Sequence, residues 1–208
     1  MKDYKTIAGE GFAETVEKKS RFIAHVYPVS TENEAIERIN QVRGMYPDAT
    51  HHVYAYICRD NNACRYSDDR EPSGTAGLPV LDVLRHEELT DVCVVVVRYF
   101  GGTLLGTGGL VRAYSGSAKA GVENAGAVAM VFSEFYSVTV DYSLLGKIQY
   151  VIAENNYTLL DTAFEENVTL TVSVEAGRAA QMISAITEAS LGKAEIIKTD
   201  TGYAPEKC

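Results

Sequence analysis

The stretch VVVVRYFGGTLLGTGGLVRAYS, residues 94–115, decides the architecture of the first half of this 208-residue chain. It continues the run Val92–Val97, which is almost uniformly β-branched, as is typical of a central strand buried on both faces. A glycine-rich turn, residues 101–109, then leads into a helix that begins near Thr107. Small residues flank the apolar stripe of this helix, so we expect the helix to approach a sheet closely.

The segments before this stretch predict further strands and helices. Thr31 followed by Glu34 is typical of a capping box at the start of a helix. We expect the apolar face of that helix to consist of Ala35, Ile36, Ile39 and Val42. In order, the pattern predicts two short strands within residues 4–17, a strand over Arg21–Val29, the capped helix closed by Pro47, a hairpin of His51–Arg59 with Ala63–Ser67, and a helix with Pro79 near its first turn.

From Ser133 onward the order of elements changes. The pattern predicts strand Glu134–Asp141, helix Ser143–Asn155, strands Tyr157–Ala163 and Val168–Val174, helix Arg178–Ser190 and strand Ala194–Asp200. This β-α-β-β-α-β order is that of ferredoxin-like domains. We therefore predict an α+β protein with a first domain at residues 1–130 and a ferredoxin-like second domain at residues 131–208.

Composition and charge limit the class of protein. Hydrophobic residues make up 46% and charged residues 23% of the chain, which is ordinary for a globular protein. The longest apolar run falls far short of the ~20 residues that a membrane span needs, and the N-terminus has no signal-peptide pattern. We expect a cytoplasmic protein with no membrane partner.

The net charge of −9 is unevenly distributed. Residues 133–208 hold 5 Lys/Arg against 11 Asp/Glu, whereas residues 1–132 hold 14 against 17. An acidic chain repels nucleic acid in general, so only the first half could carry a basic patch. Four cysteines, Cys58, Cys64, Cys93 and Cys208, lack metal-site spacing, and we interpret them as unreactive thiols.

The segment SDDREPSGT, residues 67–75, is the first candidate site. The carboxylates of Asp68, Asp69 and Glu71 could hold magnesium, which prefers oxygen ligands. The amides of Ser73, Gly74 and Thr75 could bind an anion at the start of the following helix. The alternative is a solvated polar loop with a helix cap, because Asp, Pro, Ser and Gly are common turn residues.

The glycine-rich turn is the second candidate site. A strand, a turn of bare amides and the positive end of a helix together form a phosphate cradle. It is not a Walker A loop, because no Gly-Lys-Ser/Thr follows. The alternative is that the glycines only permit positive-φ turns and close packing. The candidate ligand-binding residues are Arg98, Gly101, Gly102, Gly106, Thr107, Gly108, Gly109 and Arg112.

A third set of candidates is aromatic or resembles a hydrolase triad. Tyr54, Tyr56 and Tyr99, with His52 nearby, could stack on single-stranded RNA. Strand tyrosines are also commonly half-buried packing residues. Ser73, His52 and Asp68 could be imagined as a Ser/His/Asp triad, but no GxSxG motif supports it. No residue is therefore assigned a catalytic role.

Four long motifs resemble the YigZ/IMPACT family, in its bacterial two-domain form. They are KSRFIA (19–24), ATHHVYAY (49–56), SDDREPSGTAGLPV (67–80) and the 94–115 stretch quoted above. The resemblance is dense over the first ~125 residues, and the second half looks like the C-terminal domain of the bacterial members. One position departs from the pattern, because Arg70 stands where the family usually has glycine. The positive-φ geometry of that turn is therefore in question.

The resemblance implies a fold for each domain. The first would share the fold of domain IV of elongation factor G, of the ribonuclease P protein and of the GHMP kinases, and the second would resemble the ferredoxin-like C-terminal domain of elongation factor G. Eukaryotic IMPACT proteins regulate translation by blocking the activation of a starvation-sensing kinase through its ribosome-associated activator. That role depends on an additional N-terminal RWD domain, for which 208 residues leave no room, so the partner does not transfer directly.

Two functional hypotheses follow. The leading one is a non-enzymatic, translation-associated protein that engages RNA, the ribosome or a translation factor through the first domain, with Arg98 and Arg112 on phosphates. The competing one is an enzyme that acts on a phosphorylated small molecule or nucleotide with magnesium. The sequence names neither the ligand nor the oligomeric state. Both hypotheses require residues 68–75 and 101–109 to converge on one depression.

Overall fold

A computed structural model describes residues 3–206 of the chain. These residues form two compact units. The first unit spans Tyr4–Val128, and the second comprises Asp3 together with residues 129–206. Cys208, one of the predicted unreactive thiols, lies outside the described residues.

The first unit is a five-stranded sheet with helices on both faces. Its sheet is antiparallel throughout, in the order β2-β3-β6-β4-β5. A single 3-10 turn, Asp60–Asn62, joins β4 to β5. The elements are β1 (Tyr4–Ile7), β2 (Gly11–Glu17), β3 (Ser20–Pro28), α1 (Glu32–Met45), β4 (His51–Cys58), β5 (Ala63–Ser67), α2 (Gly77–His86), β6 (Val92–Tyr99) and α3 (Thr107–Ala125).

Strand β6 is the central strand, which confirms the prediction for Val92–Val97. Val94 and Val96 pack on the face that α2 and α3 cover, and Val95 and Val97 pack on the face that α1 covers. All are fully buried. Burying each such side chain contributes roughly 1.5–3 kcal/mol, so the strand anchors both cores at once.

The start of α1 also follows its prediction. Thr31 Oγ1 accepts the backbone N–H of Glu34 at 3.2 Å, and the Glu34 carboxylate accepts the N–H of Ser30 at 2.6 Å. The prediction that Ile36 lies in the core is wrong, because this residue is 45% exposed. The buried residues of α1 are Ala35, Ile39 and Val42, so the stripe that faces the sheet is narrower than four positions.

Helix α3 packs closely on the sheet, as its small residues predicted. A Cβ added to Gly121 would lie 2.8 Å from Cγ2 of Val26, and one added to Gly11 would lie 2.3 Å from the carbonyl oxygen of Gly121. Any larger residue at these positions would push the helix away from β2 and β3. This close contact holds the carboxyl-terminal part of α3 against β2 and β3.

The second unit has the predicted order of elements. They are β7 (Ala127–Val140), α4 (Tyr142–Glu154), β8 (Thr158–Phe164), β9 (Val168–Glu175), α5 (Ala179–Ser190) and β10 (Glu195–Pro205). The antiparallel sheet runs β10-β7-β9-β8, with Val138, Leu170 and Val172 packed against the helices. The predicted strands for β7 and β10 were too short. The two strands pair from Thr139 opposite Glu195 as far as Met130 opposite Pro205.

The molecule is therefore an α+β protein with two antiparallel sheets, as predicted at that level. Its described cysteines, Cys58, Cys64 and Cys93, are free thiols. Burial raises the pKa of Cys58 to about 11 and raises the pKa of Cys93 further, so both thiols stay protonated and unreactive at neutral pH. Within residues 3–206 we find no helix with the length and apolar character of a membrane span.

Candidate functional site: a cavity at the amino end of helix α3

The two candidate loops of the first unit meet at a cavity of about 350 Å³. The acidic segment contributes Glu71 and Pro72, and the glycine-rich turn with the residue before it contributes Thr107 and Phe100. His51 and Arg98 complete the floor. The remaining lining residues are Thr50, Leu104, Leu105, Gly106 and Leu110. The convergence that the sequence required is present, although most of the wall is apolar.

Glu71 is the centre of the floor. Its Oε1 accepts a hydrogen bond from Arg98 Nη1 at 2.5 Å and one from the Tyr114 hydroxyl at 2.8 Å, and His51 Nε2 lies 3.5 Å away. The side chains of Glu71 and Arg98 are only 4% and 5% exposed. Burial and the neighbouring Glu71 carboxylate raise the pKa of Tyr114 well above its ordinary value, so its hydroxyl remains a donor.

Arg98 therefore differs from the free phosphate-binding cation that the sequence predicted. Its charge is already neutralised by Glu71, and its Nη2 donates to Ser20 Oγ at 3.4 Å. The rings of Phe22 and Phe100 lie 5.4 and 5.6 Å from its guanidinium carbon. Its Nε is buried without a hydrogen-bond partner among the described residues. The sequence could not show this pairing, because the two residues are 27 positions apart.

Of the two adjacent histidines, the structure places His51 rather than His52 in the cavity. His51 Nδ1 lies 2.8 Å from the carbonyl oxygen of Asp69 and its ring borders the cavity. His52 points to the other side of β4, where Nε2 lies 2.9 Å from the carbonyl oxygen of Tyr46. Successive strand residues face opposite sides, and the antiparallel register that sets His51 opposite Arg98 decides which one faces the cavity.

Asp68 is a helix cap. Its carboxylate accepts the N–H groups of Gly74, Ala76 and Gly77 at 2.8–3.0 Å, while the Thr75 N–H donates to the Pro72 carbonyl at 3.1 Å. These amides at the start of α2 are therefore occupied. The anion site at Ser73, Gly74 and Thr75 stays a prediction, and two of its three amides, those of Gly74 and Thr75, already donate to acceptors of the same loop.

The three acidic residues of this loop do not gather into one ligand set. Asp69 Oδ2 accepts the backbone N–H of His52 at 2.6 Å, Asp68 caps α2 and Glu71 pairs with Arg98. In the stretch from residue 3 to residue 206, no cluster of three or more His, Cys, Asp or Glu side chains could hold a metal ion. The predicted magnesium ligands and the imagined Ser73–His52–Asp68 triad are thus not assembled.

Arg70 adopts the conformation of the glycine that it replaces. Its φ is +71°, and the preceding Asp69 has a φ of +39°. Outside glycine, a left-handed residue costs roughly 1–2 kcal/mol. The turn geometry is retained at that cost, and the Arg70 side chain extends into solvent with Nη2 3.3 Å from the Thr50 carbonyl.

The glycines of the 101–109 turn have different roles. A Cβ on Gly101 would lie 2.1 Å from the carbonyl carbon of Lys19, and Gly102 and Gly106 have φ values of +81° and +71°. With ψ at 166°, Gly106 occupies a region that is almost exclusive to glycine. Close packing or a positive φ is therefore enough to explain the glycine at these three positions. Gly108 needs neither a close contact nor a positive φ, because its added Cβ would meet only Arg112 Nη1 at 3.6 Å.

The first turn of α3 is bare. No side chain of the described residues caps it, and its cap residue is Gly106. The amides of Thr107, Gly108 and Gly109 precede the first helical hydrogen bond, which Leu110 N donates to Gly106 O at 2.9 Å. Free amides together with the positive end of the helix dipole favour an anion, and this end of α3 borders the cavity.

Four exposed cations, together called the basic mouth, lie on segments next to the cavity lining: Lys18, Lys19, Arg70 and Arg112. Arg112 is exposed and its guanidinium lies beside Gly108. The exposed turn Lys18–Lys19 packs its backbone against Gly101, and Arg70 extends from the opposite loop. The sequence analysis missed Lys18, Lys19, Ser20, Tyr114 and His51. Lys19 and Ser20 open the KSRFIA motif, His51 belongs to the adjacent HH pair and Tyr114 belongs to the 94–115 stretch, and only these positions could have indicated them.

The three tyrosines belong to another surface. Tyr54 and Tyr56 stack at 6.3 Å, and they pack in the core under α1, on the sheet face opposite α3. Tyr56 donates to Glu32 at 2.5 Å and Tyr99 donates to Asp48 at 2.9 Å. Arg43 and Arg21 cover Tyr54 and Tyr99 at 5.9 and 5.5 Å. The structure does not bring these rings to the cavity.

Comparison with known proteins places both units in one family. The Impact N-terminal domain matches residues 18–122, which include the loops, the bare helix end and the basic mouth. The "IMPACT family member YvyE" of Bacillus subtilis (strain 168) is 39% identical over 204 residues, which cover 98% of this chain and 94% of that protein. The chain belongs to the IMPACT family.

Another IMPACT relative matches most of the chain. The "IMPACT family member YigZ" of Escherichia coli (strain K12) is 31% identical and covers 86% of this chain and 90% of its own. A domain of unknown function, DUF1949, matches residues 138–193. A solved structure described as that of "an hypothetical protein" superposes with a TM-score of 0.61 at 29% identity, covering 96% of this chain and 98% of that chain.

Proposed function

We propose that this IMPACT family member is a translation-associated binding protein that engages RNA, in or around the ribosome, through its first unit. The bare first turn of α3 carries the proposal, because its start at Gly106 and Thr107 borders the cavity and exposed cations lie on the neighbouring segments. Free amides at a helix end bind phosphate oxygens without a formal charge of their own. The lysine and arginine side chains around the mouth would supply the long-range attraction.

The folds that we propose for the two units agree with a translation-associated role. We propose that the second unit is ferredoxin-like, as its strand order β10-β7-β9-β8 suggests. We also propose that the first unit shares the fold of domain IV of elongation factor G, as the resemblance implies. Kinship of fold is an analogy and names no ligand. The competing enzymatic role draws no support from the acidic loop, whose carboxylates are engaged elsewhere.

The charge distribution narrows the binding surface. With a net charge of −9, the chain as a whole repels a polyanion. Binding must therefore come from the small basic mouth formed by Lys18, Lys19, Arg70 and Arg112. Such binding is local, involves few phosphates and weakens steeply with salt.

Cosedimentation of the full chain with purified bacterial ribosomes tests the proposal. We expect the wild type to sediment with ribosomes at ~50 mM salt and to be largely released at ~200 mM. Gly108→Asp should reduce the bound fraction about tenfold, because the new carboxylate competes for the α3 amides. A first-turn carboxylate stabilises a helix, so loss of binding would not reflect unfolding.

The matched control is Gly146→Asp. It adds the same charge to an exposed glycine of α4 that has no neighbour within 4 Å. This variant should bind as the wild type does. If the wild type fails to sediment at the lower salt, or if both variants lose binding equally, the proposed function is wrong.

A further inference from the structure

The second unit holds a cavity of its own, the second-unit cavity. Its volume is about 360 Å³, and all of its lining residues belong to the second unit. It lies at one end of the sheet, where β9 ends and β8 begins. Its size is at the lower end of the ~300–1,000 Å³ that is typical of ligand pockets, which suits a single small molecule.

Strand register places four polar side chains together at this end of the sheet. Ser133 lies opposite Glu175 in the pairing of β7 with β9, and Ser173 lies opposite Thr158 in the pairing of β8 with β9. Residues directly opposite each other share a face of the sheet, and so do residues two positions apart on one strand. All four side chains therefore share one face, and all four residues line the second-unit cavity.

Ser173 is a buried polar residue without a partner. It is only 4% exposed and it lines the second-unit cavity, yet its hydroxyl forms no hydrogen bond with residues 3–206. Polar groups this deep in a protein are normally hydrogen-bonded. The hydroxyl is therefore available to a polar ligand that fills the cavity.

Arg178 supplies a cation that is held in place but not neutralised. Its Nη2 donates to the Asn155 carbonyl at 2.7 Å, and its guanidinium carbon lies 5.1 Å from the centre of the buried Tyr157 ring. It forms no ion pair with a carboxylate of residues 3–206. A guanidinium with unused N–H groups suits a carboxylate, because the two planar groups can form a bidentate pair.

Negative charge is present in the same cavity. Asp3, Glu175 and Glu206 line it, and all three are exposed. Three carboxylates and one guanidinium in the wall disfavour phosphates and other multiply charged anions. A ligand that carries an ammonium group as well as a carboxylate satisfies both signs, because an ammonium group donates three hydrogen bonds.

Part of the wall is apolar. Ala129 and Val131 of β7 line the second-unit cavity and are half-buried, and Pro205 of β10 lies beside them. An apolar side chain on the ligand would remove this surface from water, which is favourable.

We propose that the second-unit cavity binds a free α-amino acid with an apolar side chain. Its carboxylate would pair with Arg178, its ammonium group would donate to Glu175 and to the Ser173 hydroxyl, and its side chain would cover Ala129 and Val131. Every residue concerned belongs to the second unit, so this proposal is independent of ribosome binding by the first unit.

Amide NMR of the full chain, with ¹⁵N label, tests the proposal. L-leucine, L-valine and L-methionine are titrated separately to millimolar concentration, and at least one should saturably shift the amide signals of Ser133, Ser173 and Glu175. The matching carboxylic acid without the amino group, and the matching amine without the carboxylate, should each bind about tenfold more weakly. No saturable shift with any of these amino acids, or equal binding of the carboxylic acid, would overturn the proposal.

Glu175→Gln tests the ammonium contact. It should weaken the amino acid about tenfold and leave the matching carboxylic acid unchanged, because only a charged partner of the ammonium group is lost. The matched control is Glu188→Gln, at an exposed glutamate of α5 that does not line the cavity, and it should change neither affinity. Equal affinity of the wild type and Glu175→Gln for the amino acid would contradict the ammonium contact.

Ser173→Ala tests the hydroxyl without disturbing the fold. It should weaken the amino acid severalfold and leave Tm unchanged, because the hydroxyl bonds to no residue of the 3–206 range. Unchanged affinity would show that this hydroxyl does not contact the ligand.

Discussion

Glu71 meets side chains from three elements, namely His51 of β4, Arg98 of β6 and Tyr114 of α3. Removing one partner of a buried ion pair costs about 3–5 kcal/mol, because the other charge is left uncompensated. Substitutions at Arg98 or Glu71 would therefore test folding before they tested binding. Residues at the edge of the cavity, such as Gly108 and Leu104, are better probes because neither is needed for packing.

Arg70 allows a prediction at the same scale. Its φ of +71° carries a left-handed cost of roughly 1–2 kcal/mol, partly offset because glycine loses more entropy on folding. We expect Arg70→Gly to raise the free energy of unfolding by about 0.5–1 kcal/mol in urea titration. The control Arg65→Gly, in the extended strand β5, should lower it by about 0.5–1 kcal/mol. Equal losses in both variants would contradict the left-handed turn.

Helix α3 connects packing to the proposed site at the scale of the element. Its carboxyl-terminal part lies so close to β3 that Gly121 has no room for a methyl group. Its first turn, by contrast, has no side-chain cap, and a Cβ added to Gly108 would meet only Arg112. The close packing holds the helix axis, and the amino end of the helix at Gly106 and Thr107 lines the cavity. One glycine-rich sequence thus serves two separate purposes.

Two glycines of α3 give opposite predictions. An added methyl at Gly121 would lie 2.8 Å from Val26 Cγ2 and 3.1 Å from Ala24 Cβ, whereas one at Gly116 meets nothing within 4 Å. Gly121→Ala should lower the free energy of unfolding by about 1–3 kcal/mol through overpacking. Gly116→Ala should raise it by up to about 1 kcal/mol through helix propensity. Denaturant unfolding measures both, and a stabilising Gly121→Ala would show that α3 is not held this closely.

At the scale of the whole molecule, the net charge differs between the two parts of the chain. Residues 133–208 carry most of the net negative charge, with 11 Asp/Glu against 5 Lys/Arg. The exposed cations Lys18, Lys19, Arg70 and Arg112 lie instead on segments of the first unit next to the cavity lining. Nucleic acid would therefore be attracted to one small area, while the rest of the surface opposes binding without selectivity.

The stability of the whole molecule should also depend on pH. His25 is half-buried with its Nε2 3.0 Å from the Tyr46 hydroxyl, and burial lowers its pKa below 6.5. A depressed folded pKa means that the stabilisation is fully present above pH ~6.5 and is lost as the pH falls through the folded value. The slope is at most about 1.4 kcal/mol per pH unit for one proton. In urea titrations between pH 7 and 5, His25→Gln should flatten the decline, and an unchanged slope would contradict this assignment.

Local patterns determined most of the elements. The β-branched run of β6, the cap at Thr31 and the β-α-β-β-α-β order of the second half depend on neighbours within a few positions, so they are legible in a single sequence. The prediction for Ile36 and the short bounds of β7 and β10 failed, because helix–sheet contact and strand pairing involve distant residues.

The candidate site was predictable in place and less so in detail. The many glycines of the 101–109 turn and the acidic 67–75 loop indicated where the site lies. Only the folded structure shows that these two segments meet. Only the tertiary structure decided that His51 faces the cavity in place of His52, that Asp68 caps α2, and that Glu71 neutralises Arg98. The physical reason is register: antiparallel pairing of β4 with β6 sets which side chains oppose each other across long sequence separations, and no local pattern in the chain encodes that choice.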